Sequence, residues 1–317
     1  DGGLICAGGA EGLLYFFDVA TGRALKPVEA HKKAVHRVVA HPLEAGVFAT
    51  TGLDGTACIV TKDGVRLVMT HGFPACGCAF DPFNPDLLAV ATQNSTIAVW
   101  DVTTTDGKMP VSVLHGGHTS KVYNVVYSPL VRGRLLSVSD DKTARVWPLT
   151  EEGKPTGDPA MVLSGHLSNV RAQAWHPEIA HVCFTGGWDK TIRTWDVRNG
   201  ICLNVTTAHL ADVYAIAMHP DKPFVAVTCS RDTTMRFWST EELCPSARLR
   251  AVLGADVTVS ATAGAGPSAA ADVGKPTMVG KAIGERLKAK LGAAGGGGDV
   301  VGMAAAFGAL SGGGGGG

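Results

Sequence analysis

The sequence predicts an all-β fold, a β-propeller of about six recognisable blades over 1–253, followed by a low-complexity tail over 254–317. Three observations predict it. One set of residue types recurs in a register that never slips. The copies lie 40 to 48 residues apart. Each copy also reads as short strands bounded by turn residues.

The register is anchored on His31, His71, His118, His166 and His209. Eleven residues after each stands Pro42, Pro82, Pro129, Pro177 or Pro220. Twenty-three after each stands Asp54, Asn94, Asp141, Asp189 or Asp232, and six further on come Val60, Trp100, Trp147, Trp195 and Trp238. Only the segment between copies varies in length. An N-terminal copy is partial: Glu11 takes the acidic position and Phe17-Asp18 the place of Trp100-Asp101, while its histidine would precede residue 1. Its first strand is therefore expected to be missing. The tryptophan-type positions are then 43, 40, 47, 48 and 43 residues apart, the length of a four-stranded propeller blade.

Within a copy, an alternating strand follows the histidine, as in Val122 to Tyr127 or Val213 to Met218. Proline ends it, having no N–H to give a ladder. A second strand follows (Val182 to Thr185, Val225 to Cys229), then a tight turn at the acid, Asp141-Lys142 or Asp189-Lys190. The third strand carries Thr56, Thr96, Thr143, Thr191 or Thr234 two residues after that acid and runs to the tryptophan. A fourth, such as Ala160 to Leu163, leads to the next histidine.

Gly117-His118 and Gly165-His166, with Trp100-Asp101 and Trp195-Asp196, resemble the signature of the WD40 repeat family over about residues 4–253. The resemblance implies a hydrogen-bonded tetrad of His, Ser/Thr, Asp and Trp in each blade. On that pattern blade four uses His118, Ser137, Asp141 and Trp147. Blade five uses His166, Thr185, Asp189 and Trp195, and blade six His209, Thr228, Asp232 and Trp238. Blade two keeps His31, Thr50 and Asp54 but has Val60; blade three has His71, Asn94 and Trp100 with Val90 for the hydroxyl. Tetrad order is expected to weaken toward the N-terminus. Most propellers of this family have seven blades, so the first expectation is a fragment lacking N-terminal sequence, since an open ring would expose strand edges. The alternative is six blades closed by a tail segment such as Val257 to Ala261.

Composition narrows function. Net charge is zero, which removes the attraction that nucleic-acid binders show and gives no reason for anionic membranes. No run of 18 apolar residues suggests membrane insertion. The eight cysteines have no CxxC pair and read as small apolar residues in a reducing compartment, so an intracellular and chiefly cytoplasmic location is expected, with the nucleus as alternative. Eight of the eleven histidines belong to the repeat, counting His41, His176 and His219 beside their prolines, and His36, His115 and His181 are too scattered to suggest a metal. No nucleophile, P-loop or dinucleotide motif stands in a fitting context, and no cofactor or catalysis is expected. More than half of the tail is Gly or Ala, a composition that cannot offset its ordering entropy. Gly280 to Leu291 spaces Ile283, Leu287 and Leu291 as a short amphipathic helix would, though so short an isolated helix is expected to fray.

In the WD40 family, partners often use the face carrying the start of the innermost strand and the turn before the tetrad acid. By register those positions place Lys121, Tyr123, Asp140, Arg171, Trp188, Tyr214 and Arg231 on blades four to six. Tyr, Trp and Arg dominate interface hot spots because each joins a large contact area to a polar handle. The competing reading has them packing on neighbouring blades. The sequence therefore leads to a non-catalytic scaffold or adaptor binding protein segments there, with a nucleic-acid or chromatin-associated propeller as the alternative.

Overall fold

The computed structural model describes residues 3–157, 161–219, 222, 225–239 and 243. They form six antiparallel sheets and 22 strands. Blade one holds β1 (Leu4–Gly8), β2 (Leu13–Asp18) and β3 (Val28–Glu29); blade two β4 (Val35–Ala40), β5 (Phe48–Gly52), β6 (Thr56–Thr61) and β7 (Gly64–Thr70). Blade three holds β8 (Ala75–Phe80), β9 (Leu87–Thr92), β10 (Ile97–Asp101) and β11 (Ser112–Leu114). Blade four runs through β12 (Val122–Tyr127), β13 (Arg134–Ser139), β14 (Thr143–Pro148) and β15 (Met161–Ser164). Blade five has β16 (Val170–Trp175), β17 (Val182–Gly187), β18 (Ile192–Asp196) and β19 (Ile201–Thr206). Blade six has β20 (Val213–Met218), β21 (Val225–Ser230) and β22 (Met235–Ser239). The tail from 254 onward, including the segments Val257 to Ala261 and Gly280 to Leu291, lies outside the described residues.

Neighbouring blades pack face to face. The first strands lie in series, β4 on β8, β8 on β12, β12 on β16 and β16 on β20. The second strand of each blade also lies on the first strand of the next: β5 on β8, β9 on β12, β13 on β16 and β17 on β20. The contact of β1 with β4 is of this second type, so β1 holds the place of a second strand. Burial follows from that geometry. Strands covered on both faces need apolar residues throughout, and β9 (LLAVAT) and β17 (VCFTGG) are buried at every position. One inter-blade core joins Ala49, Ile59 and Met69 to Phe80, Leu88 and Trp100; another joins Phe184, Ile192 and Leu203 to Val213 and Ile216.

Two turns repeat at fixed places. Ahead of the proline, the side chain at the end of the first strand accepts backbone N–H groups two or three residues on. His41 Nδ1 takes Glu44 N–H at 2.9 Å, Asp81 takes Phe83 at 2.8 Å, Ser128 takes Val131 at 3.2 Å, and His176 takes Glu178 and Ile179 at 3.1 Å each. The histidines beside the prolines are thus turn caps. The second turn follows the tetrad acid, where Gly12 and Gly55 have φ of 91° and 84°. Ser95, Lys142, Lys190 and Thr233 hold the same left-handed conformation, at 65°, 70°, 67° and 66°, without the freedom of glycine.

Candidate interaction face

The turn after the second strand depends on a buried polar chain beneath it. In blade four, Trp147 Nε1–H donates to Ser137 Oγ at 2.8 Å, and Ser137 Oγ lies 2.7 Å from His118 Nε2. The other ring nitrogen, Nδ1, lies 2.7 Å from Asp141 Oδ2. A carboxylate only accepts, so Nδ1 carries the proton, and the neutral ring takes the serine proton on Nε2. Blade five repeats the chain, Trp195 to Thr185 at 2.7 Å, Thr185 to His166 at 2.7 Å and His166 to Asp189 at 2.9 Å. Blade six does so at 2.8, 2.7 and 2.9 Å through Trp238, Thr228, His209 and Asp232. Burial alone would raise the Asp141 carboxyl; the hydrogen bond from His118, with the bonds from Thr143, holds it well below the carboxylate range.

The carboxylate also organises the surface above it. It accepts the hydroxyl two residues on, from Thr143 at 2.7 Å, Thr191 at 2.8 Å and Thr234 at 2.6 Å. It further accepts the backbone N–H one residue past the histidine, from Thr119 at 3.1 Å, Leu167 at 2.9 Å and Leu210 at 2.9 Å. Two surface turns are thereby tied to one buried group. The threonine recurs in the sequence, but its part in the chain is visible only once the strands are paired.

The N-terminal blades depart from an even decline. Blade two keeps three members: His31 lies 2.8 Å from Thr50 Oγ1 and 3.3 Å from Asp54. Blade three, nearer the centre, is the poorer of the two. Val90 brings no hydroxyl, so His71 Nε2 and Trp100 Nε1 are both buried without a partner, and Asn94 turns to Thr92 and Thr96 instead. His71 and Trp100 close to 5.3 Å between ring centroids, against 6.2, 6.4 and 6.3 Å in blades four to six. The gap is local to Val90 rather than graded along the chain.

Above this layer, the seven face residues fall into a connected arrangement. The N–H of the residue before each acid donates to the carbonyl three residues past the histidine: Asp140 to Lys121 at 3.0 Å, Trp188 to Asn169 at 2.8 Å and Arg231 to Asp212 at 2.9 Å. Arg171 is at the centre. Its guanidinium lies 4.0 Å from the Tyr123 ring centroid and 4.5 Å from that of Trp188, and Nη2 donates to Asp140 Oδ2 at 3.0 Å. Trp188 meets Tyr214 edge-on at 6.4 Å, and Lys121 Nζ lies 5.7 Å from the Tyr123 ring. Arg231 is largely exposed and stands 3.6 Å from Asp212. The sequence singled out Arg171 as a surface handle; it is instead 6% exposed, bracing the aromatic rings that surround it. Tyr123, Trp188 and Tyr214 are half-buried.

His36, which the repeat left unexplained in the sequence, extends this belt. Its ring packs edge-on against Tyr123 at 5.1 Å, and its Nδ1–H donates to the Cys76 carbonyl at 2.6 Å. Burial brings its pKa down to about 4, so the ring is neutral. Sequence spacing does hold the clue: His36, Cys76, Tyr123, Arg171 and Tyr214 each stand five residues after a repeat histidine.

A series of antiparallel blades packed face to face, with a Trp–Ser/Thr–His–Asp chain in three of them, defines the class, and the comparisons with known proteins agree. The family model described as WD domain, G-beta repeat matches residues 108–148, 157–196 and 200–239. Coronin-7 of Bos taurus is 36% identical over 126 residues, covering 37% of this chain and 13% of the relative. Coronin-7 of Homo sapiens is 32% identical over 143 residues, 42% of this chain and 14% of the relative. Histone acetyltransferase type B subunit 2 of Eremothecium gossypii is 32% identical over 117 residues, 37% of this chain and 26% of the relative. The chain thus spans only a minor part of the length of these relatives. It carries WD repeats over residues 108–239.

Proposed function

We propose that the chain is a non-catalytic scaffold or adaptor, a subunit of a larger intracellular complex, which holds partner protein segments on the face of blades four to six. The observation that carries this reading is the Arg171 brace. One buried guanidinium links Tyr123 and Asp140 of blade four to Trp188 of blade five, and Trp188 meets Tyr214 of blade six. A rigid aromatic surface loses little entropy on binding, which is what an interaction site requires. That one relative is named as a subunit of histone acetyltransferase type B is in keeping with a place in an assembly. The seven described cysteines are all unbridged, which fits a reducing compartment, cytoplasmic or nuclear.

An affinity capture read by mass spectrometry tests the reading. Wild-type chain is compared with a Trp188→Ala/Arg231→Glu variant shown by circular dichroism to be folded. A small set of proteins lost with the variant supports the scaffold; identical sets from both exclude this face. A nucleic-acid or chromatin role is the second reading, favoured by exposed Lys142 and Lys190 and by the name of the acetyltransferase relative. It predicts RNA or DNA binding that falls steeply with salt.

A further inference from the structure

A cavity of about 230 Å³ lies at the seam of blades four and five, where the second strand begins and the third ends. That is the end of the blades opposite the aromatic belt, which sits at the turn joining those two strands. Val146 and Leu149 of blade four and Val197 of blade five give the cavity buried apolar walls, and Arg132, Arg134 and Arg198 line it with them. Two of the three guanidiniums are already matched. Arg198 grips Asp196 in a fork, Nε to Oδ1 at 3.1 Å and Nη2 to Oδ2 at 2.8 Å, and Arg132 Nη1 stands 3.3 Å from Glu151. Arg134 has no acidic partner among the described residues. Its Nη1 donates across the seam to the Ala180 carbonyl at 2.9 Å, which leaves Nε and Nη2 without a partner among those residues. Burial lowers its pKa, and no carboxylate offsets this. His181 is held neutral by burial and by the charges of Arg134 and Arg198, so it adds no negative charge.

The repeat shows that this arrangement is particular to blade four. The same rung between second and third strands pairs Leu4 with Asp18, Leu87 with Asp101, Val182 with Asp196 and Val225 with Ser239. In blade four it pairs Arg134 with Pro148. A cation therefore stands where the other blades place an aliphatic side chain, and the carboxylate that three of them set across from it is gone. Leu87 and Val182 are buried, so an apolar residue satisfies the fold at this position. Half-burying a guanidinium there without a carboxylate costs stability. Its presence points to an anion supplied from outside the chain.

We propose that this cavity binds a carboxylate, with Arg134 as its anchor and the aliphatic group beside the carboxylate seated on Val146, Leu149 and Val197. A planar guanidinium matches two carboxylate oxygens at once, as Arg198 does with Asp196 in the same lining. One unanswered positive charge suits a monoanion, whereas a phosphate group would bring roughly two negative charges against it. The carboxylate belongs either to an acidic side chain of a bound protein segment or to a free small acid. The site stands apart from the aromatic belt, so neither depends on the other.

NMR of the full chain tests this by following the arginine Nε–H signals, that of Arg134 being assigned by its loss in Arg134→Val and Arg134→Lys. Valine is the residue of blades five and six at this rung, so Arg134→Val is expected to fold, which circular dichroism checks. The probes are acetate, isovalerate, the neutral amide of isovalerate, inorganic phosphate, and a capped tripeptide with aspartate between two leucines. Isovalerate is expected to shift the Arg134 signal and to bind at least about tenfold tighter than acetate, because its branched chain is buried against the apolar walls. The neutral amide should not bind. Isovalerate affinity, read from the backbone amides of Val146 and Val197, should fall at least about tenfold in Arg134→Val. A tripeptide that binds tighter than isovalerate assigns the carboxylate to a protein segment, and the reverse order assigns it to a free acid; either upholds the site. The proposal is overturned if no probe moves the Arg134 signal, if the amide binds as well as the acid, or if phosphate binds tighter than isovalerate. An isovalerate affinity unchanged in a folded Arg134→Val overturns it too, and the comparison of acid with amide needs no variant.

Discussion

Blade three contains its own stability experiment. Val90 stands nineteen residues after His71, where the other blades place Thr50, Ser137, Thr185 or Thr228. It pairs with Cys78 and Ala98 and is fully buried. Its methyl leaves His71 Nε2 and Trp100 Nε1 as two buried polar atoms without partners. Each such atom costs roughly 1–3 kcal/mol. Val90→Thr is nearly isosteric and returns a hydroxyl where blades four to six use one to accept the indole N–H and donate to the imidazole. The His71–Trp100 centroid distance must open by about 1 Å to admit it, as the 6.2 Å spacing in blade four illustrates, and this recovers only part of the cost. The expected gain is about 1–2 kcal/mol by urea denaturation, or roughly 3–6 °C in Tm for a domain of this size. Ser137→Ala performs the reverse operation in blade four, stranding Trp147 Nε1 and His118 Nε2, and should cost about 2–4 kcal/mol. The blades do not share these groups, so the two effects should add. A Val90→Thr variant less stable than wild type by more than about 1 kcal/mol would refute the account of blade three as under-satisfied.

Removing the Arg171 brace by Arg171→Ala should cost about 3 kcal/mol, because burial already raises the Asp140 carboxyl and only the nearby guanidinium and Lys121 offset it. Arg171→Lys should recover less than half, since an ammonium cannot stack on two rings; equal stability of the lysine variant and wild type in urea would refute the brace. Thr233 is exposed and β-branched at φ 66°, so Thr233→Gly should raise stability by about 0.5–1 kcal/mol, whereas Gly55→Thr should lower it; differential calorimetry showing the opposite order would rule out strain at this turn. Stability should also fall with pH. Burial holds His36, His71 and His176 at about 4 against 6.5 unfolded, so each stabilises the fold above pH 6.5 and loses that contribution as pH falls toward 4. For His176 alone the loss between pH 7 and 5 is about 2 kcal/mol, and a Tm unchanged over that range would contradict it. Asp141 and Asp189, held low, keep contributing until pH drops below about 4.

The repeat made most of the architecture legible in advance. Histidine, proline, acid and tryptophan each do a job that only a few residue types can do, so their spacing survives as a visible pattern. Proline ends a first strand, as at Pro82 and Pro129, and the acid starts the turn whose next residue is left-handed in all six blades. The face was legible as positions but not as roles. Register placed Arg171 and Trp188 on one end of the propeller, while the closing of blade five onto blade four buried one and half-buried the other.

What the sequence determined by itself was everything periodic: the all-β class, blade length, strand order within a blade, and which residues share a level of the propeller. Periodicity of this kind is local, because strand and turn preferences act over a few residues. Tertiary packing fixed how unlike residues at equivalent levels meet, within a blade and across blade seams. Arg171 between Tyr123 and Trp188, His36 against Tyr123, and the collapse of His71 onto Trp100 all join residues well separated in sequence, those with Tyr123 across different blades. Such contacts depend on the volume and charge of both partners at once, and no repeat spacing encodes that.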